Sequence, residues 1–279
     1  MEPLSYEKRG YLTSDFRLFH LTDHNLDPLN YHYHTFHKII ILLAGRAGYS
    51  IEGKHYDLLP GDFVLVGQGS IHRPEVEKDT FYERMILYIS PQYLDRFKTD
   101  DCDLSTCFRN AQEHFQYVYH SSPHDPIKPL LQSLELALQQ DEFGAELLSH
   151  AVFLQLMVEF NRAAARNSHS SAASGDSKIV SILQYLNLHL TEPLSIDDLA
   201  ARFYISKYHM MRRFKDETGY TIHSYVTEKR LLLARRLLQS GKLVSDVCYL
   251  AGYQDYSTFS RAYRKRFSVS PSTDQRKQQ

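Results

Sequence analysis

Apolar and polar positions follow one rhythm in the first third of the chain and another in the rest. Lys38-Ile-Ile-Ile-Leu-Leu43, Gly48-Tyr-Ser-Ile-Glu52, Phe63-Val-Leu-Val66 and Met85-Ile-Leu-Tyr-Ile89 are short and rich in β-branched and aromatic residues. Turn-forming breaks separate them: Ala44-Gly-Arg-Ala-Gly48, Glu52-Gly-Lys54, Leu59-Pro-Gly-Asp62 and Gly67-Gln-Gly-Ser70. From about Phe16 to Ile89 this pattern predicts an antiparallel sandwich or barrel. Between Pro91 and Arg166 the period lengthens. Leu130, Leu131, Leu134 and Leu138, then Leu147, Leu148, Phe153, Leu154, Leu156 and Met157, recur at helical spacing. Two helices, roughly 127–141 and 144–165, are expected, with apolar stripes that need either the barrel or a second subunit. Residues 167–177 are small and polar and read as a linker. Beyond them the chain reads as helical to its end. Lys178–Leu190 forms one helix and Thr221–Gln239 a longer one that buries Leu231, Leu232, Ala234, Leu237 and Leu238. Four segments result: a β-barrel over 1–92, a helical pairing region over 93–166, the linker, and an all-α domain over 178–279.

The last hundred or so residues contain one design twice. Ile196–Lys215 and Val244–Arg264 each read as a short helix, a tight turn and a second helix rich in Arg and Lys. Leu199, Phe203 and Ile205 match Val247, Ala251 and Tyr253 at one offset. Met210, Arg212 and Phe214 match Phe259, Arg261 and Tyr263 at an offset one residue longer, so the second turn carries one extra residue. This is a pair of helix-turn-helix units, about 196–217 and 244–267, whose second helices suit the major groove of DNA. In Ser206–Glu217, Ser206 is the expected N-cap and Met210 and Phe214 face inward. Tyr208, Met211 and Arg212 then form an outward set for base edges, while Lys207, Arg213 and Lys215 suit phosphate. In Asp255–Phe267, Asp255 is the expected cap and Phe259 and Tyr263 face inward. Tyr256, Ser257 and Arg261 project outward, and Arg264, Lys265 and Arg266 add phosphate-binding charge. Joined by one rigid helix, two such units can reach successive major-groove faces roughly 34 Å apart.

Charge supports that division of labour. The net charge is −1, yet residues 176–279 hold 17 Lys+Arg against 10 Asp+Glu, a balance of +7. The first 175 residues hold the remaining 15 and 23, a balance of −8. A basic C-terminal half points to a polyanionic partner, and an acidic N-terminal half to another task. Three cysteines without zinc-type spacing fit a reduced cytoplasm better than a disulfide framework. The longest apolar run, Ile39–Ala44, is far too short to cross a membrane. Cytoplasmic localisation is therefore expected.

At these residues the chain resembles the AraC/XylS family. The similarity runs from about Lys178 to Ser272 and rests on the Ser206–Gly219 segment, Ala234-Arg-Arg-Leu-Leu238 and Val244–Phe267, closing on Ser270-Pro-Ser272. Ser268 stands where that family usually has Gly, and Asp274-Gln275 where it has Tyr-Arg. The resemblance implies a sequence-specific transcription regulator, more often an activator, acting on promoter DNA with RNA polymerase and commonly dimeric. It implies base contacts from Tyr208, Met211, Arg212, Tyr256, Ser257 and Arg261, the set already chosen by helical face.

Of the fifteen histidines only His209 and His223 lie beyond residue 190, and His32, His34 and His37 cluster ahead of the strand at 38–43. Leu59-Pro-Gly-Asp62 and Ile71-His-Arg-Pro74 follow. This arrangement resembles the cupin barrel that commonly precedes an AraC-type domain. Metal-binding cupins hold their ion with an HxH pair, a nearby Glu and a later His. His32, His34 and His72 match the histidines, but Lys38 occupies the Glu position. No metal and no cofactor are assigned on that ground. The expected site is a small-molecule effector pocket lined by His32, His34, Lys38, His72, Tyr31, Tyr33, Tyr49 and Tyr88, whose aromatic faces suit a carbohydrate or related metabolite. Two alternatives stay open: a metal-dependent cupin enzyme fused to a DNA-binding domain, and a ligand-independent regulator.

Overall fold

Seven strands come first in the chain: β1 (Phe16–Asp23), β2 (His37–Gly45), β3 (Ala47–Ile51), β4 (Lys54–Leu58), β5 (Asp62–Val66), β6 (His72–Glu75) and β7 (Tyr82–Ile89). Helices α1 (Pro91–Asp95) and α2 (Thr106–His114) follow, then strand β8 (Val118–His120) and helices α3 (Ile127–Gln139) and α4 (Ala145–Arg166). This computed structural model describes residues 12–24, 29–76, 80–122, 125–166 and 177–276. The expected linker at 167–177 lies almost wholly outside the described residues. Contacts divide the chain into two units, Met1–Ser174 and Gly175–Gln279.

In the first unit every described strand pair is antiparallel. The larger sheet has the order β1-β7-β2-β5-β8 and the smaller β4-β3-β6. Pairing among the described residues thus makes two sheets rather than one closed barrel. Both faces of the central strands are covered, which explains why Lys38–Leu43 reads as a continuous apolar run. Ile41 pairs with Phe63 of β5, and the Phe63 ring meets Phe160 of α4 at 5.0 Å. Phe16 of β1 stacks on Phe153 of α4 at 4.2 Å. The buried stripe of α4 therefore packs on the large sheet. Gly45 (φ 91°) turns β2 into β3 where a Cβ would lie 1.8 Å from the Phe81 carbonyl oxygen, so only glycine fits. Pro129 sits in the first turn of α3, where no intrahelical N–H is lost.

The second unit is helical: α5 (Ser177–Leu188), α6 (Ile196–Arg202), α7 (Lys207–Thr218), α8 (Ile222–Gln239), α9 (Val244–Leu250), α10 (Tyr256–Phe267) and α11 (Pro271–Arg276). Helices α6 and α7 form the first helix-turn-helix, α9 and α10 the second, with α8 between them. Leu231, Ala234 and Leu238 of α8 join Val247, Cys248, Ala251, Phe259 and Tyr263 in one core. Gly252 (φ 80°) lies in the longer second turn, where a Cβ would come within 2.7 Å of the Thr191 Cα. Arg230 of α8 donates to the carbonyls of Leu190 (2.7 Å) and Glu192 (2.6 Å). The α5–α6 connection is thereby held by both the second turn and α8.

Candidate nucleic-acid interface and buried histidine cluster

The two second helices begin on the caps expected from sequence. The Ser206 hydroxyl accepts from the His209 N–H at 3.4 Å, and the Asp255 carboxylate accepts from the Thr258 N–H at 2.7 Å. Gly219 closes α7 in the left-handed region at φ 74°. At the equivalent end of α10 stands Ser268, left-handed at φ 61° with its N–H donating to the Arg264 carbonyl at 2.9 Å. The four-residue spacing puts Met210 and Phe214, and likewise Phe259 and Tyr263, fully inside. On α7, Tyr208 is 74% exposed and Met211 41%, and the Arg212 side chain 69%. Tyr256, Ser257 and Arg261 are likewise exposed on α10. Both outward sets therefore share a solvent-facing surface on their own helix.

The cations divide into two kinds. Lys215, Arg264 and Lys265 are exposed. Lys207 reaches Asp197 at 2.9 Å, Arg212 approaches Asp216 at 3.8 Å, and Arg213 pairs with Glu217 at 2.8 Å. The Lys207 and Arg212 contacts are exposed to solvent, whereas the Arg213–Glu217 pair is half-buried. Arg266 departs from its expected role. Its Nε lies 2.8 Å from both Glu228 carboxylate oxygens, and the Glu228 side chain is 6% exposed. The reason is helical position: Arg266 continues the inward stripe of Phe259 and Tyr263 and ties α10 to α8. Sequence reasoning missed Glu228 because the pairing crosses from one helix to another. It also missed Asp274. This buried carboxylate accepts from the Tyr263 hydroxyl at 2.6 Å and pairs with the Arg235 Nε at 3.1 Å, anchoring α11.

In the first unit, His32 and His72 are partners in an antiparallel bridge, with His32 N–H to His72 O at 3.0 Å and His72 N–H to His32 O at 2.9 Å. Their rings lie 4.4 Å apart, and the His34 ring lies 5.1 Å from His32 and 4.9 Å from His72. All three histidines are buried. Tyr49 stacks near His72 at 5.8 Å, and Tyr88 approaches His34 at 5.7 Å. The Lys38 ammonium is 6.0 Å from the Tyr88 ring centre. Burial, helped by the nearby Arg84 cation, lowers the Lys38 amine to about 7. Burial also holds the His72 imidazole well below its ordinary value, with His34 and Lys38 adding to the effect. Tyr33 is fully buried, whereas Tyr31 sits half-buried under the Arg73 guanidinium at 4.4 Å. Six of the eight expected pocket residues, His32, His34, Lys38, His72, Tyr49 and Tyr88, are thus brought together.

Two sizeable clefts in this unit are lined by other residues. One, of about 960 Å³, lies against the face of the small sheet that carries Gly48, His55, Asp57, Arg73 and Glu75. Another, of about 690 Å³, lies between the large sheet and α3, beside His20, Met85, Lys128 and Glu135. None of the eight residues lines either cleft.

Comparison with known proteins matches both units. The family model described as an AraC-like ligand binding domain covers residues 15–157, and the model described as a helix-turn-helix domain covers 199–277. The HTH-type transcriptional activator RhaS of Citrobacter koseri is 27% identical over 241 residues, spanning 86% of this chain and 85% of that protein. RhaS of Klebsiella pneumoniae is 27% identical over 247 residues, with the same coverage. Among solved structures, an apo variant of ToxT from Vibrio cholerae aligns over 94% of this chain and 97% of its own, at 15% identity. Its TM-score is 0.41, a likeness too loose to argue from.

Proposed function

The chain belongs to the AraC-like family of DNA-binding transcription regulators, and from that premise we propose that it activates a promoter in response to a small molecule held in its first unit. The observation that carries the DNA reading is the repetition of one exposed set. Tyr208 and Arg212 on α7 correspond to Ser257 and Arg261 on α10, and Met211 and Tyr256 are exposed beside them, each group on the open face of a capped helix. Arg212 and Arg261 supply bidentate donors for guanine edges, and the tyrosines and Met211 supply apolar contact for thymine methyls. Lys207, Arg213, Lys215, Arg264 and Lys265 are the phosphate ligands in this reading. The two relatives' printed names as activators support activation over repression, which requires contact with RNA polymerase.

The effector is assigned to the neighbourhood of Lys38, Tyr49, Tyr88 and the three histidines, where aromatic faces and a buried amine suit a hydroxyl-rich or anionic metabolite such as a sugar or sugar acid. Pairing of two chains is assigned to the α3–α4 hairpin. Leu136, Leu138, Phe143, Leu147 and Leu148 are exposed there, an apolar concentration that soluble monomers rarely leave uncovered. No helix among the described residues is long and apolar enough to cross a membrane.

Selection of duplexes from a random pool by the full-length protein tests the reading. Enrichment of an asymmetric site with two contacted segments about one helical turn apart is expected, and its affinity should change with the cognate metabolite. A pool that stays unenriched removes sequence-specific reading. An enriched site whose affinity no sugar, sugar acid or phosphate ester alters removes the effector assignment.

A further inference from the structure

We propose that the cleft between the large sheet and α3 binds a small organic cation, an alkyl- or arylamine whose ammonium docks between Glu83 and Glu135. This site is separate from the histidine neighbourhood assigned to the effector, and no residue of that neighbourhood lines it.

The cleft has the dimensions and the walls of a small-molecule site. Its volume of about 690 Å³ falls within the roughly 300–1,000 Å³ typical of such sites, which combine apolar walls with a few convergent polar groups. Ile41 of β2 and Met85 of β7, paired across the sheet, form one wall, and Ile127 and Leu131 of α3 form the other. The polar groups converge at His20 of β1. Its Nε2 lies 2.9 Å from Glu83 Oε1 on β7, and its Nδ1 lies 2.9 Å from Glu135 Oε1 on α3. Two strands and a helix far apart in the chain thus meet at one ring.

Charge decides what fits. A carboxylate only accepts, so an imidazole held by one at each ring nitrogen is an imidazolium. The carboxylate pair therefore already holds a cation, supplied by the chain itself. Two carboxylates against one imidazolium leave an excess negative charge beside an apolar wall. Each spends Oε1 on His20, which leaves Oε2 of both for a further donor. The other charged groups of the lining do not cancel this excess. Asp125 is matched by Arg166, and His120 by Asp62 at 2.8 Å. Lys128 stands two turns before Glu135, roughly 10 Å away along α3. The side chains of Glu83 and Glu135 are only 29% and 28% exposed, so their pull on an ammonium is less screened than that of surface carboxylates. An apolar body on the ammonium buries itself against Ile41, Met85 and Leu131, a gain that a bare metal ion lacks. An anion is repelled by both carboxylates, and a neutral sugar leaves the excess charge unmatched. His20, 35% exposed, can swing out and yield its place.

The test titrates full-length protein, without DNA, with a panel of alkyl- and arylamines that includes phenethylamine. Each amine is run beside the alcohol and the carboxylate of the same skeleton, and heat is measured calorimetrically. Expected is an amine that binds once per chain with a dissociation constant below about 1 mM, at least tenfold more tightly than its alcohol and its carboxylate. Glu83→Gln and Glu135→Gln should each weaken binding at least tenfold, the size of one charge-assisted hydrogen bond. His20→Asn, which removes the competing imidazolium, should tighten it. Circular dichroism checks the fold of each variant, and if one glutamine variant does not fold the other decides. A panel in which no amine binds would overturn the proposal, as would an alcohol that binds as tightly as its amine. So would an affinity unchanged in the folded glutamine variants. Binding that vanishes between about 0.15 and 0.5 M salt would overturn it too, because that marks diffuse attraction to an acidic surface. None of these readouts depends on DNA or on the histidine neighbourhood, so failure here leaves the regulator reading and the effector assignment intact.

Discussion

Replacing Arg266 separates a phosphate ligand from a structural tie. Its guanidinium meets both oxygens of a Glu228 carboxylate that is 6% exposed. Removing it in Arg266→Met leaves that carboxylate buried without its partner, and such losses run to about 3–5 kcal/mol. Protonation caps the penalty. An ordinary glutamate at pH 7 takes up a proton at a cost of roughly 2.7 × 1.36, or about 3.7 kcal/mol. The expected loss is therefore about 3 kcal/mol. With a urea slope on the order of 1–3 kcal/mol/M, the midpoint falls by roughly 1–3 M. The double variant Arg266→Met/Glu228→Leu should recover much of that loss, because an apolar pair leaves nothing uncompensated. On a selected duplex, the single variant should keep the slope of log K against log salt. A phosphate ligand would instead lower the slope by about 0.9. Unchanged urea stability together with a reduced salt slope would refute the structural role.

Three further outcomes are expected. Arg212→Ala and Arg261→Ala should each cost about 1–3 kcal/mol on the selected duplex and little on a scrambled one, measured by fluorescence anisotropy; equal losses on both duplexes would make these side chains phosphate ligands. Ser268→Gly should stabilise the second unit by about 0.5–1 kcal/mol, since the residue is left-handed at φ 61°; a lower thermal midpoint would show that the serine side chain contributes more than its backbone costs. His20 sits 2.9 Å from both Glu83 and Glu135, and its pKa is raised by the Glu83 hydrogen bond, against burial, with further help from Glu135. A raised folded-state value gives stability that is fully present below the unfolded value near 6.5 and lost as pH rises through the folded one. The gap in Tm between wild type and His20→Ala should thus be wider at about pH 5.5 than at about pH 8.5, and a gap independent of pH would remove the ion pairs from the account.

Local signals were legible in the sequence, and partners distant along the chain were not. The caps Ser206 and Asp255 and the inward pairs Met210–Phe214 and Phe259–Tyr263 follow from spacing within a single turn or two. The α3–α4 hairpin was readable for the same reason. Strand β8 was not, because Val118–His120 is a strand only by virtue of pairing with β5. The strand order within the sheets was hidden likewise, since β7 pairs with both β1 and β2 from far along the chain. Asp274 stood out in the sequence only as a departure from the family pattern, and in the fold it is the acceptor that holds Tyr263 and Arg235. His32, His34 and His72 were named from sequence, but only the bridge between His32 and His72 turns three residues into one cluster.

The close fit of Gly252 against Thr191, with Arg230 gripping the neighbouring carbonyls, has a consequence for what the molecule tolerates in its target. A pair of probes on a slack tether can absorb an inserted base pair by sliding. Probes locked in phase cannot, because each inserted pair rotates one contacted segment by about 34° around the duplex axis relative to the other. In the proposed DNA reading, the bracing of the α5–α6 connection makes spacing as much a part of the recognised message as base identity, and it rests that spacing on a glycine outside both exposed side-chain sets.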